Sequence, residues 1–496
     1  MPSTLRIEAP AFQHSQKNMH LITLGCARNR VDAEVMLGSM VKEGWNYCTD
    51  PKEAQLIVVN TCGFIQAAKE ESIDTILEMA AYKRERPVTL VVSGCLSQRY
   101  RAQLAKGLPE VDIFLGSHQF SQLPKILKMW QDDQDNPQRR HIFTQDNPHL
   151  YDHLSPRINT LTAHSAYVKV AEGCQHNCAF CIIPAIRGRL RSRSIDSIVQ
   201  ECHNLGKQGI QEINLIAQDL AAYGRDRGSD DLLDLLCELE GVDTLSWIRL
   251  LYMYPENIKT DFLEYFAQSR KLVTYLDVPM QHGSSQVLKR MNRGVTRSQL
   301  SQTLLQLRNY IPHITIRTSV MVGFPGETEE EFSELYDFVK EHEFDHLGCF
   351  TYSQEAGTVA GAMKEQIDEE TKRLRQNTIM TLQKDISWRK LSKRMGQKAD
   401  FLVEKPLHPL DGQSCENNEN NVASLPQRFL SPSSPLHTQF YKGRLASQAP
   451  EVDGIAYLEV TSPNAFTQSA ASLTSGTIIQ ATITDHTEYD LKLSLP

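Results

Sequence analysis

Cys174, Cys178 and Cys181 stand in the pattern C-x3-C-x2-C, directly after an apolar run from Ala166 to Ala171. Thiolates so close in sequence can converge on one metal centre. Three of them on a cubane of four irons leave one iron open to bind a small ligand. Zinc is the competing reading, but structural zinc sites take four protein ligands in paired blocks, and no second such pair lies nearby. A second set of cysteines is dispersed. Cys26, Cys62 and Cys95 each end a short apolar run, in Leu24-Gly25-Cys26, Asn60-Thr61-Cys62-Gly63 and Ser93-Gly94-Cys95. In open parallel sheets ligands gather at the carboxyl ends of strands, so thiols 36 and 33 positions apart can still meet. The other five show no ligand spacing: Cys202 and Cys237 fall on apolar helical faces, Cys349 in a strand-like run, and Cys48 and Cys415 in neither.

The elements that must hold these thiols are legible in the hydrophobic pattern. Strand-like runs at His20–Leu24, Leu56–Asn60, Val88–Ser93 and Val111–Leu115 alternate with helical patterns over Asp32–Lys42, Ala67–Tyr82 and Ser97–Lys106. That alternation predicts a parallel α/β sheet in an N-terminal domain, residues 18–130. Residues 131–162 are polar and aperiodic and read as a linker. Six apolar runs follow: Ala166–Ala171, Glu212–Ala217, Trp247–Tyr252, Thr274–Pro279, Ile314–Val322 and His346–Thr351. Amphipathic segments separate them, one opening at a Ser194 cap, and a partial (βα)6 barrel over 163–395 is the economical reading. A long basic helix pattern, Glu369–Arg394, closes it. From 396 to 496 β-like runs (Asp400–Glu404, Gly454–Thr461, Gly476–Thr484) predict a small antiparallel β domain, with a flexible insertion at 405–440 rich in Pro, Ser and Asn. The fold class expected is thus multidomain α/β.

With 496 residues, 41% hydrophobic and 23% charged, the chain has the composition of a soluble protein of about three domains. No apolar run approaches the roughly 20 residues that span a bilayer, and Met1–His20 lacks an apolar signal core. A cytoplasmic setting follows as the expectation. There eleven cysteines serve metals or catalysis rather than disulfides. The overall field of a chain with net charge −8 does not gather nucleic acid, though a local basic surface could. Residues 396–496 carry six Lys or Arg against eleven Asp or Glu, which favours a basic protein partner over RNA.

The segment Glu172-Gly173-Cys174-Gln175-His176-Asn177-Cys178-Ala179-Phe180-Cys181 resembles the radical S-adenosylmethionine enzymes. In those enzymes the open iron chelates the cofactor, and an electron cleaves it to a 5′-deoxyadenosyl radical. The strings Leu24 to Glu34, Asn60 to Phe64 and Gly94-Cys95-Leu96 narrow the resemblance to the methylthiotransferases, which use such a second triad for a sulfur-delivering cluster. Of that family's two branches, one acts on a tRNA adenosine (the MiaB branch) and the other on an aspartate of the twelfth small-subunit ribosomal protein (the RimO branch). Ala67–Ile73, Ala449-Pro450-Glu451-Val452-Asp453-Gly454 and Glu488–Leu491 are similar to the second branch, while Ile186–Arg193, Ile213–Asp219 and Leu276–His282 have counterparts in both. The C-terminal region resembles the family's TRAM domain, although Gly443–Gln448 lacks the Tyr and Asp expected before Ala449.

The resemblance implies a transferase with two 4Fe-4S clusters and S-adenosylmethionine. Cys174, Cys178 and Cys181 would hold the radical-generating cluster, and Cys26, Cys62 and Cys95 the other. It further implies that Phe180 packs near the adenine, that Gln218 and Asp219 approach the methionyl amino group, and that Gln281 and the Val322–Gly326 segment with Gly323 line the adenosyl pocket. Asp219 also reads as a turn cap, Gly323 as a tight turn, and Arg187–Arg193 as a solvated basic loop, although an Arg of that run could also pair with a carboxylate. No general base is singled out. The implied partners are a basic small-subunit ribosomal protein and an electron donor, with no membrane and no nucleic acid as the modified substrate. The rival functions are the tRNA-modifying branch and a non-catalytic iron-sulfur binding protein.

Overall fold

Runs of Val, Ile and Leu that are buried on both faces pair in parallel, because only parallel sheets are covered by helices on each side. The chain contains two such sheets and a small barrel. The structure is a computed structural model and describes residues 17–133, 141–144, 150–229, 231–407, 425–429, 438–461 and 473–495. Cys415, most of the expected insertion (408–424 and 430–437) and parts of the expected linker (134–140 and 145–149) lie outside the described residues.

The N-terminal sheet contains β1 (Asn18–Thr23), β2 (Asn46–Tyr47), β3 (Leu56–Thr61), β4 (Thr89–Gly94), β5 (Ile113–Leu115) and β6 (His141–Phe143), in the order β2-β1-β3-β4-β5-β6, all parallel. Helices α1 (Ala27–Lys42), α2 (Gln66–Ala81), α3 (Cys95–Gly107) and α4 (Leu123–Asp132) cover it. The sequence pattern starts α1 and α3 too late. Each begins directly at or after a cysteine, with no side-chain cap to mark the start. The edge strand β6 comes from the segment read as linker, and Tyr151 in the same segment is buried.

The second sheet contains β7 (Ser165–Lys169), then, beyond the short antiparallel pair β8 (Ala171–Glu172) and β9 (Arg191–Ser192), β10 (Glu212–Ile216), β11 (Trp247–Leu250), β12 (Leu272–Asp277), β13 (Thr315–Val322) and β14 (His346–Thr351). These six parallel strands run in simple succession as an open partial barrel. Ala166, Val168, Ile213, Leu215, Ile248, Leu250, Leu276 and Ile316 pack against the outer helices. The alternate residues, among them Tyr167, Lys169, Arg249, Tyr275, Asp277 and Arg317, face the lumen. The segment Cys174–Cys181 leads into α5 (Ile183–Arg187), and α6 (Ile195–Lys207) opens with the Ser194 side chain accepting from the Ser197 amide.

The C-terminal strands β15 (Lys398–Leu407), β16 (Thr438–Leu445), β17 (Ala456–Thr461), β18 (Ile478–His486) and β19 (Leu491–Ser494) close a barrel. It is not wholly antiparallel, because β17 and β19 pair in parallel. Within the described part of the 405–440 segment, Leu425 and Phe429 are buried in a cluster with Leu407, Phe440 and Tyr457.

The three domains share one interior. Residues Asn29 to Gly38 of α1 are buried in succession, because one side packs on the N-terminal sheet and the other fills the lumen of the partial barrel. A Cβ at Gly38 would lie 2.6 Å from the backbone of Pro156 and Arg157, so the chain crosses there at a distance only glycine allows. The C-terminal barrel is latched to the second sheet by Arg444 on Glu212 at 2.5 Å and by Tyr275 on Asp453 at 2.7 Å. On the opposite side Lys69 and Arg99 meet buried Glu355 at 2.8 and 2.7 Å. Among the described residues, no helix is long and apolar enough to cross a membrane.

Candidate functional site

Strand ends of the N-terminal sheet carry the dispersed thiols to one place. Cys26 is the residue before α1, Cys62 follows β3, and Cys95 is the first residue of α3. A Cβ on Gly25, whose φ is +91°, would lie 2.8 Å from Cys62 Cβ and 3.2 Å from its Sγ, so glycine is what allows the first and second cysteines to approach. Ser72 locks the Cys62 backbone, its Oγ accepting from the Cys62 amide at 3.2 Å and donating to the Cys62 carbonyl at 3.0 Å. Cys95 is buried against Ile182, Ile186 and Phe64, and so touches the helix that follows the other triad.

The central cysteines occupy a loop pinned from several sides. The Cys174 amide donates to Gly188 O at 3.1 Å, the Ala179 amide to Met291 O at 2.8 Å, and the Ala360 amide to Ala179 O at 2.8 Å. Backbone amides of His176 and Ile183 donate to the sulfurs of Cys174 and Cys181 at 3.4 Å each, and the Arg293 guanidinium lies 3.9 Å from Cys178 Sγ. Such contacts orient thiolates and tune whatever metal they hold.

A buried charge network joins the triads. Arg187, at the end of α5, meets Asp32 at 2.6 Å and Glu172 at 3.3 Å, and its Nη2 lies 3.3 Å from Cys95 Sγ. Lys169 meets the same two carboxylates at 2.5 and 2.6 Å. All four side chains are buried, so each charge depends on its partners. Of the two readings of Arg187–Arg193, the solvated loop is therefore corrected at both ends and the carboxylate pairing holds, since Arg193 is also buried, 2.5 Å from Glu201. Arg28, in the first turn of α1, reaches across to the second sheet. Its Nη1 donates to Ala217 O at 2.6 Å, its guanidinium lies 4.6 Å from the centroid of the Tyr252 ring, and its charge is felt by Cys26, Cys174 and Cys181.

Burial opposes ionisation of the Cys26 thiol, but Arg28, Arg187 and nearby backbone amides outweigh it and pull the thiol below its ordinary range. Burial pushes Cys62 and Cys181 up to about 12 and raises Cys95 and Cys174, the Arg187 guanidinium opposing the rise at Cys95. Among the described residues no group of three or more His, Cys, Asp or Glu forms a ready-made metal-ion site. The donor sets nonetheless fit thiolate-held clusters: each triad consists of free cysteines close enough to perturb one another electrostatically.

The other residues singled out from sequence divide into two groups. Phe180 packs beside Phe324 and Met321 at the end of β13. Gly323, at φ +73°, follows β13 with its amide bonded to Glu327 at 2.8 Å, and a Cβ there would meet the Lys372 side chain at 2.2 Å. Gln281, at φ +70°, bridges to Val320 of that strand. Gln218 and Asp219 instead end β10 beside the cysteine loop. Gln218 Nε2 donates to Glu172 at 3.0 Å, while its buried Oε1 has no partner among the described residues. Asp219 caps a turn through the Ala221 amide and also holds Asn257 at 2.8 Å and His176 at 2.7 Å. His176 in turn stacks on Tyr254 at 3.9 Å.

Beside Cys26 a cavity of about 330 Å³ opens where the three domains meet, lined by Arg30, Tyr167, Asp277, Arg317 and Glu451 among others. None of the five is marked for a role here by its sequence pattern. The signal available is a single charge inside an otherwise apolar strand, as at Lys169, Arg249, Asp277 and Arg317. A charge there must face a lumen and find a partner.

Three family models match the chain: Uncharacterized protein family UPF0004 over residues 18–116, the Radical SAM superfamily over 168–339 and the TRAM domain over 435–494. Among solved structures, the radical S-adenosylmethionine methyltransferase TsrM from Kitasatospora setae shares the fold, with a TM-score of 0.51 and 15% identity over 70% of this chain and 77% of that one. The ribosomal protein uS12 methylthiotransferase RimO of Bdellovibrio bacteriovorus is 39% identical over 96% of both chains. RimO of Geobacter sulfurreducens is 40% identical over 97% of this chain and 99% of that one. With three matching domains in order and about 40% identity along nearly the whole length, the chain belongs to the ribosomal protein uS12 methylthiotransferase RimO family.

Proposed function

We propose that this chain adds a methylthio group to the β-carbon of an aspartate in the ribosomal protein uS12, using two 4Fe-4S clusters and S-adenosylmethionine. The observation that carries the reading is that Cys95 of the dispersed triad is buried against α5, the helix that follows the other triad, with Arg187 of that helix 3.3 Å from its sulfur. Cys174, Cys178 and Cys181 would hold the cluster that leaves an iron open, and Cys26, Cys62 and Cys95 the second. When bound, these groups supply the radical that takes a hydrogen from the target carbon, and the sulfur and methyl that replace it.

This chain's own residues position and shield. The unpartnered Gln218 Oε1 suits an amine donor such as that of a methionyl group. Phe180, Gln281 and Gly323 gather at the ends of β12 and β13, where an apolar wall excludes water from a reactive intermediate. The Asp219 carboxylate is taken up by its own turn, Asn257 and His176, so it acts through His176, whose amide reaches Cys174 Sγ. The acidic C-terminal domain suits a basic target. A cytoplasmic setting with an external electron donor fits cysteines that are all free among the described residues.

Mass spectrometry of uS12 and tRNA from cells with and without the gene tests the reading. Loss of the methylthio group from the uS12 aspartate is expected. Its retention, with loss from a tRNA adenosine, would move the chain to the other branch. Anaerobically reconstituted protein that binds iron and sulfide but never cleaves S-adenosylmethionine under strong reductant would make it a binding protein instead.

A further inference from the structure

We propose that Arg30 and the Tyr167 hydroxyl form the pocket for the carboxylate of the target aspartate, and that Glu451 fills this pocket as an internal stand-in until the target displaces it. The inference rests on the reading above, in which the target residue is an aspartate.

Arg30 lies one helical turn beyond Cys26, its amide donating to Cys26 O at 3.2 Å, and both residues line the cavity at the domain junction. The Arg30 guanidinium pairs with the Glu451 carboxylate and also reaches Thr160 at 3.3 Å. The Tyr167 hydroxyl lies 3.4 Å from Glu451 Oε2 and 3.2 Å from Pro450 O. A carboxylate therefore already sits between a guanidinium and a phenol, on the wall of a cavity that it shares with a cluster-ligand candidate.

Arg317 lines the same cavity, but Asp277 at 3.1 Å and Asp453 at 3.4 Å hold it, and those side chains are 3% and 2% exposed. Glu451 is 37% exposed, and its backbone φ of +67° is one that L residues rarely adopt. Of Asp277, Asp453 and Glu451 it is the carboxylate least committed to its place. Its departure would not undock the C-terminal barrel, because Asp453 on Tyr275 and Arg444 on Glu212 hold that domain independently.

The geometry also selects the residue type. The β-carbon of an aspartate is bonded directly to its carboxylate carbon, so anchoring the carboxylate on Arg30 fixes the carbon to be modified one bond away. A glutamate would place a different carbon there. An asparagine would offer a neutral amide, which forfeits the charge-assisted part of the contact.

The test is binding of two forms of uS12, one with the target aspartate and one with asparagine in its place, to reconstituted enzyme, with iron content and thermal melting confirming that each variant is loaded and folded. Wild type is expected to prefer the aspartate form by about tenfold or more. Arg30→Gln is expected to bind both forms alike. Glu451→Gln, neutral and isosteric, is expected to tighten binding of the aspartate form several-fold. Tyr167→Phe gives a second reading of the pocket should Arg30→Gln not fold, and is expected to cut the preference several-fold. A wild type that modifies uS12 but binds both forms equally overturns this inference alone. So does an Arg30→Gln or Tyr167→Phe variant that keeps the full preference, or a Glu451→Gln variant that binds more weakly. A wild type that neither binds nor modifies uS12 removes the functional reading, and this inference with it.

Discussion

The two cysteine triads reach similar ends by opposite constructions. Cys174, Cys178 and Cys181 lie within eight consecutive residues, and backbone hydrogen bonds to Gly188, Met291 and Ala360 shape their loop. Cys26, Cys62 and Cys95 come from three strand ends, so they meet only when the parallel sheet has formed, and the guanidinium beside Cys95 is delivered by another domain. A local triad depends on one stretch of backbone. A distributed triad depends on tertiary contacts and on the buried charges that hold two domains together.

Replacing Cys26, Cys62 and Cys95 together by Ala is expected to abolish product and remove about half of the bound iron and sulfide, while reductive cleavage of S-adenosylmethionine persists. Loss of all iron in anaerobic quantification would mean that the triads are not separate. Arg187→Ala is expected to lower stability by about 3–5 kcal/mol, because it strands Asp32 and Glu172 with Lys169 alone in a buried setting. Denaturant unfolding measures this, and iron should leave the distributed triad first.

Acid sharpens the contrast further. Burial opposes ionisation of Glu172, but Lys169 and Arg187 hold its carboxyl well below the usual range. A carboxylate with a depressed folded-state value contributes stability that is present above the ordinary glutamate value of 4.5 and lost as pH falls through the depressed value. Acid unfolding of cluster-free protein, followed by intrinsic fluorescence, should therefore steepen below about pH 4.5, and Glu172→Gln should flatten that dependence. The smallest effect separates two glycines. Gly25→Ala and Gly228→Ala each incur about 1 kcal/mol for a positive φ, but only the first drives a methyl into Cys62, a Cβ at Gly228 meeting nothing within 4 Å. Melting should fall in both, further in Gly25→Ala, with iron retention lowered only by the first.

Much of this architecture is legible in the amino-acid sequence alone. The apolar runs locate the principal strands of both sheets to within a few residues, and three cysteines after such runs imply a shared site. β2 and β6, of two and three residues, lie in no apolar run such as the one that reveals the equally short β5. The starts of α1 and α3 are hidden because Cys26 and Cys95 stand where Ser, Thr, Asp or Asn would mark a cap. β16 is lost at the edge of a polar stretch, and β19 has only four residues. Arg187 and Arg193 read as solvated because Asp32, Glu172 and Glu201 become neighbours only in three dimensions. Glu451 is visible as a mark of the family branch, but its place in the lumen follows from the docking of the C-terminal barrel.

The size of the void beside Cys26 has a consequence for what can be modified. At about 330 Å³ it lies at the small end of ligand sites and admits a side chain with little of its own backbone. A residue embedded in a helix or a central strand of another protein could not enter without unfolding its surroundings. On the inference that this void receives the target side chain, reactivity is confined to residues carried at the tip of a protruding turn, and the shape of the target filters candidates before any sequence around the acceptor is read.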